Sequence, residues 1–234
     1  MADEPMTSTS VHPPDAEWLV NQIAHTLRNP IFAAMVQAEA MTLRLGEDSS
    51  VANAAQLVYR QLKRLEADIN EMLLYGRPPR LQPRQFDLTR LVRRMAETYR
   101  RGEHGEVVAA QAVGDDHAVL LLSDPDAVTV VLKRLLTNAI QHTASPHEIW
   151  IELVAGPDEI ELAVRDHGSG IPEEIRERLF LPFYPQHSGR PGLGLAVAAK
   201  FAHALGGSLA IESTVGAGTL ARFRLPSRPP DPEA

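Results

Sequence analysis

The sequence predicts an α+β chain in two parts, a helical hairpin followed by a two-layer α/β sandwich, and three observations carry that reading. Apolar residues first recur with the alternating four-and-three spacing of a helical seam. A stretch rich in proline then interrupts the pattern, and beyond it two successive segments alternate apolar and polar residues at period two.

The first seam runs Val20, Ala24, Leu27, Ile31, Ala34, Ala38, Met41 and Leu45, and the second, after the turn "GEDSS", runs Val51, Ala55, Val58, Leu62, Leu65, Ile69 and Met72. Two long helices joined by so short a loop form an antiparallel hairpin. A lone hairpin buries one side of each seam, so the expected completion is a second copy, giving a dimeric four-helix bundle. Pro30 lies inside the first helix, where it withholds an N–H from the carbonyl of residue 26 and predicts a kink.

The segment "YGRPPRLQPRQ", residues 75–85, reads as a linker, which sets the boundary near residue 78. The expected organisation is therefore a disordered 1–14, the hairpin at 15–78, the sandwich at 79–227 and a disordered tail at 228–234. Within the sandwich, Asp87 caps a helix at "FDLTRLVRRMAETYRR", short apolar segments follow at "EVVAAQAV" and "HAVLLLS", and "SDPD" opens a helix running to His142. "EIWIELV" and "EIELAVRD" are strands, because Ile149, Ile151, Leu153 and then Ile160, Leu162, Val164 recur at every second residue. A helix at 194–205 precedes the last hairpin, "SLAIESTVGAGTLARFRLP".

Bulk composition narrows the function. The 234 residues are 44% hydrophobic and 23% charged, enough for a substantial core. Absence of cysteine excludes disulfides and thiolate metal sites. The net charge of −7 argues against nucleic acid as a partner, so the arginines between Arg77 and Arg101 are expected to form a solvated face or a docking surface. No apolar run is long enough to cross a bilayer and the first fifteen residues are not signal-like, so a cytoplasmic protein without a membrane segment is expected. The nine histidines show no metal-ligand spacing.

Candidate chemistry gathers at three glycine clusters and one asparagine. "DHGSGIP" follows a strand and leaves Gly168 and Gly170 behind Asp166, where little side chain obstructs a flat ring. "GRPGLGLAV" puts Gly192 and Gly194 at a helix N-terminus, whose free N–H groups and dipole favour phosphate oxygens. "GAGT" closes the last hairpin, and Asn138 in "LLTNAIQHT" stands on a helix where packing alone would favour a leucine. A turn or a buried structural amide explains each of these singly; a dinucleotide-binding fingerprint does not, because "GLGLAV" lacks its third glycine.

Taken in order, the motifs resemble the catalytic core of sensor histidine kinases of two-component systems over roughly residues 17–226. "IAHTLRNP" is similar to the phospho-acceptor box, "LLTNAIQHT" to the asparagine box, "DHGSGIP" and "GLGLAV" to the two glycine boxes, "LFLPFY" to the phenylalanine box and "GAGTLARFRLP" to the closing motif. The resemblance implies the ATP-binding fold shared with gyrase and the heat-shock chaperones. It implies ATP and Mg2+ as ligands, a homodimer, and the receiver domain of a response regulator as partner. Position by position, it implies that Asp166 accepts the adenine amino proton with Thr219 in support, and that Asn138 holds the magnesium. Gly192 and Gly194 would offer N–H groups to the phosphates, residues 173–191 would form a lid with Phe180 and Phe183 packing its base, and His187 and Arg190 would be candidate phosphate contacts. His25 would take the phosphoryl group and pass it to an aspartate of the partner. Independently of the family, His25 falls just off the apolar seam with Asn29 one turn along the same face.

The chain departs from the family directly after the histidine, where Thr26 stands in place of the usual acidic residue. A carboxylate there would accept a proton from the imidazole and sharpen the attacking nitrogen, which a neutral hydroxyl does poorly. Asn29 matches the position that orients a water against the regulator's phospho-aspartate. The two together point to a core with slow kinase turnover or a bias toward phosphatase activity. The competing readings are a non-catalytic dimeric adaptor with a degenerate ATP domain, and a related ATPase or serine-protein kinase in which His25 has no role.

Overall fold

A computed structural model of the chain describes residues 16–45, 50–100, 117–143, 149–176, 178–184 and 192–227. It divides into two compact units, Met1–Arg77 and Pro78–Ala234.

The first unit is the hairpin of α1 (Ala16–Leu45) and α2 (Ser50–Gly76), and α1 continues through Pro30. Its core is small: Ile31 and Met35 pack with Ile69 and Leu73, flanked by Tyr59 and Leu62. Arg28 Nη2 donates to Asn70 Oδ1 at 2.7 Å and ties the two helices at their exposed edge. The expected seams split into two rows. Ala55 and Ile69 are buried, whereas Val51, Val58, Leu65 and Met72, spaced seven apart, are between 40% and 50% exposed. In α1, Ile31 and Ala38 are buried but Leu27 and Met41 are exposed, while Met35, Ala52 and Leu73, off the expected seams, are buried. A heptad seam carries two rows of apolar side chains, and the single neighbour in a hairpin covers only one of them.

In the second unit, β1 (Arg84–Asp87) pairs antiparallel with β2 (Leu120–Ser123), Arg84 opposite Ser123 and Asp87 opposite Leu120. This ribbon takes up the end of the segment expected to be linker, because a short strand far along the chain supplies its partner. Asp87 then caps α3 (Leu88–Arg100), its Oδ1 accepting from Arg90 N at 3.1 Å. The segment "EVVAAQAV" lies outside the described residues. Asp124 opens α4 (Pro125–His142): Oδ1 accepts from Asp126 N and Ala127 N at 2.8 and 2.9 Å, while Oδ2 accepts from Gln82 N at 2.6 Å. One buried carboxylate thus caps the helix and anchors the incoming chain.

β3 (Ile149–Ala155), β4 (Glu159–Asp166), β5 (Ser208–Thr214) and β6 (Gly218–Pro226) form an antiparallel sheet in the order β3-β4-β6-β5. The short α5 (Glu173–Arg176) and α6 (Gly194–Ala204) complete the elements, and α4 and α6 pack together over one face of the sheet. That face carries Ile149, Ile151, Ile160, Leu162, Val164, Ala221, Phe223 and Leu225 against Val128, Leu132, Leu135, Val197 and Phe201, all buried. On the opposite face, Glu161 accepts from Arg222 Nη1 at 2.5 Å and Arg224 Nε at 2.9 Å. Partial burial opposes its ionisation, but the two guanidinium groups outweigh that cost and hold the carboxyl below the usual glutamate range.

Candidate active site

The period-two rule that builds the core also builds the site. Asp166 ends the inward row Ile160, Leu162, Val164; Thr219 begins the inward row Ala221, Phe223, Leu225; Ser213 ends the row that includes Ile211. Asp166 is opposite Thr219 and Thr219 opposite Ser213, so the three form one polar row across β4, β6 and β5 at the end of an apolar face.

All three are buried, Asp166 at 5% exposure. Asp166 Oδ1 accepts from Gly168 N at 2.8 Å, and the Thr219 N–H donates to the same carboxyl. Burial nevertheless dominates and pushes its pKa above the usual aspartate value, because two backbone N–H donors and the distant charge of His142 and His167 do not replace full hydration. Such a carboxylate favours a ligand that brings a hydrogen-bond donor.

In front of this row lies a cavity of about 480 Å³ lined by Asn138, His142, Gly170, Tyr184, Val215 and Thr219, among others. Ile171, Ile175 and Leu179 add apolar wall. Its size and its mixture of apolar lining with a few polar groups suit a nucleotide-sized ligand. Asp166 and Ser213 do not line this cavity; they line an adjoining cleft of about 310 Å³, and Thr219 is common to both.

The loop after β4 is held by its glycines. A Cβ on Gly168 would strike the His142 carbonyl, and one on Gly170, whose φ is +69°, would strike the Thr214 carbonyl. These glycines allow the loop to pack on the end of α4 and on β5, a structural role beyond leaving room for a ring. Gly216 N donates to Ser169 O at 2.8 Å and fastens the same loop to the β5–β6 turn.

At the other end, Leu193 occupies the N-cap of α6 and supplies no side-chain cap, and no atom of the described residues lies within 4 Å of the position a Cβ on Gly194 would take. The first-turn N–H groups of α6 thus have no side-chain acceptor from the cap residue, the condition in which a helix start receives phosphate oxygens. Gly192 has a φ of +67° and packs against the Tyr184 carbonyl.

The structure therefore brings Asn138, Gly170 and Thr219 to one cavity with Asp166 and Gly168 directly behind it. Asn138 is half-buried on the cavity side of α4. Its amide oxygen is a suitable ligand for a hard divalent cation, and no cluster of three acidic or histidine ligands exists among the described residues. A magnesium ion here would thus depend on phosphate and water for most of its shell. Phe180 is half-buried, but Phe183, expected to pack the lid base, is 58% exposed with a φ of +60°. His187 and Arg190 lie outside the described residues, as do the side chains of His25 and Thr26, whose backbone belongs to α1. Asn29 is exposed on α1. Sequence reasoning missed Ser213, although its phase with Ile211 marked it as inward-facing.

Residues 123–229 match the family described as histidine kinase-, DNA gyrase B-, and HSP90-like ATPase. The chain is 25% identical over 204 residues to the sensor histidine kinase ZraS of Escherichia coli K12, covering 87% of this chain and 44% of ZraS. It is 29% identical over 233 residues to the signal transduction histidine-protein kinase AfsQ2 of Streptomyces coelicolor, covering 91% of this chain and 42% of AfsQ2. The chain thus spans less than half the length of these curated relatives. Among solved structures, full-length ShkA in complex with AMPPNP superposes with a TM-score of 0.74 at 19% identity, over 89% of this chain and 45% of ShkA. The histidine kinase ThkA, in complex with response regulator TrrA, gives a TM-score of 0.64 at 24% identity, over 89% of this chain and 61% of ThkA. Residues 123–229 thus resemble the histidine kinase-, gyrase- and HSP90-like ATPase family, and these findings together support a histidine kinase catalytic core.

Proposed function

We propose that the chain is an ATP-dependent protein-histidine kinase that phosphorylates itself on His25 and hands the phosphoryl group to an aspartate in the receiver domain of a response regulator. The observation that carries this reading is the cavity itself. A buried carboxylate that seeks a donor stands behind its Thr219 wall, and the same unit holds a helix start whose cap residue supplies no acceptor. A purine amine answers the first and a phosphate chain the second.

In the proposed step the unprotonated imidazole nitrogen of His25 attacks the terminal phosphorus, the bond to the bridging oxygen breaks and ADP leaves with those electrons, while the proton on the other ring nitrogen passes to water. Asp166 and Thr219 orient the base, Asn138 faces the phosphates, and the first turn of α6 receives their charge. When bound, Mg2+ would neutralise charge on the phosphates. The exposed row Val51, Val58, Leu65 and Met72, with Leu27 and Met41 on α1, favours a homodimer in which a second hairpin covers it. Thr26 supplies no carboxylate to orient the imidazole, and Asn29 is exposed and free to position a water, so the balance is proposed to lean toward slow kinase turnover with regulator phosphatase activity.

Incubation with ATP labelled at the terminal phosphate, with magnesium, tests this. Acid-labile label is expected on the wild type and absent from His25→Ala, and Thr26→Glu should label about tenfold faster. Nucleotide binding without label on His25 would favour the adaptor reading, and label that persists in His25→Ala would favour a related kinase of the same fold.

A further inference from the structure

The hydroxyl protons in the polar row have a determined direction. Ser213 Oγ accepts from Ile171 N at 2.8 Å, donates to the Gly218 carbonyl at 2.8 Å and lies 3.0 Å from Thr219 Oγ1. A serine hydroxyl has one proton and two lone pairs. A carbonyl cannot donate, so that proton belongs to Gly218; the Ile171 N–H takes one lone pair; the other must accept from Thr219. The single proton of Thr219 is therefore committed to Ser213, and Thr219 Oγ1 turns only lone pairs toward the cavity it lines. The ionised Asp166 beside it is also an acceptor without a donor.

We propose that Ser213, which does not line the main cavity, is the positioning residue that makes this wall acceptor-only, and that it thereby selects 6-aminopurine over 6-oxopurine nucleotides. The inference rests on the reading of the cavity as a purine nucleotide site. A 6-amino group brings protons to two acceptors. A 6-oxo group brings lone pairs against lone pairs, and the hydroxyl that could relieve the conflict has already given its proton away.

Titration of the full chain with ATP and with ITP, each with magnesium, tests this through the ratio of the two dissociation constants. The wild type should prefer ATP. Ser213→Ala releases the Thr219 hydroxyl to donate to the 6-oxo group, and the preference should shrink by about fivefold to tenfold, the effect of one hydrogen bond. Ser213→Thr keeps a hydroxyl and should restore the ratio. Thr219→Ala leaves the Ser213 bonds to Ile171 and Gly218 in place, should shrink the preference by a similar factor while Asp166 keeps the rest, and serves if Ser213→Ala does not fold. Equal weakening of both nucleotides in Ser213→Ala, or an unchanged ratio in Thr219→Ala, would overturn the proposal while leaving the nucleotide site intact. A wild type that binds neither nucleotide would overturn both.

Discussion

The two units of the chain solve the problem of burying apolar surface in opposite ways. The sandwich closes on itself: Phe223, Leu132, Leu135, Leu136, Ile149 and Ile151 are essentially inaccessible, and the buried Asp124, Asp166, Ser213 and Thr219 are hydrogen-bonded at a helix start or in the row behind the cavity, although the buried Thr143 hydroxyl has no partner among the described residues. The hairpin leaves one of its two apolar rows in the open. A closed unit can hold a rigid ligand site, whereas an open one needs a partner to be complete.

Breaking the open row should produce the largest effect. Leu65→Glu places a charge where a second hairpin would cover it, and should raise the dimer dissociation constant by about a hundredfold or more in sedimentation equilibrium. The same change at Val154, exposed on the sandwich, should leave the assembly unaltered. A monomeric wild type at micromolar concentration would remove the proposed dimer altogether.

Next in size is a cavity in the closed core. Leu132→Ala should cost about 2–5 kcal/mol in denaturant unfolding of the sandwich. Truncating Leu57, which is 52% exposed on the hairpin, should cost well under about 1 kcal/mol.

Smaller again is the pH response of Asp166. Its pKa is raised in the folded state, so its contribution to stability is present in full below the unfolded value and is lost as pH rises through the folded one. Over the same interval ATP binding should move the opposite way, because acidification protonates the acceptor the ligand needs. On acidification ATP affinity should therefore begin to fall at a pH above that expected for an ordinary aspartate, and Asp166→Asn should flatten both curves. The least effect is expected on the outer face, where Glu161→Gln weakens partly exposed ion pairs and should lower stability by less than about 1 kcal/mol.

Much of the fold was legible because it is periodic. The core strands, α4 and the cap at Asp124 follow from alternation and from the sequence "SDPD". The ribbon of β1 and β2 was not, because a four-residue strand beside prolines exists only through a partner distant in sequence. The heptads revealed two apolar rows, but which row a neighbour covers depends on packing. Phe183 shows the same limit: an aromatic in a motif predicts burial, whereas here the residue has a positive φ and an exposed side chain. At the site, Asp166, Asn138 and Thr219 could be named from motif order, while the dependence of Thr219 on Ser213 required the register of three strands.

Calorimetric titration with magnesium and ATP asks whether the closed unit is an ATP site organised around Asp166. The wild type should bind one nucleotide per chain, and Asp166→Asn, which replaces an acceptor with an amide that also donates, should weaken binding by at least about tenfold without unfolding the sandwich. Equal affinity in the two proteins would contradict the account.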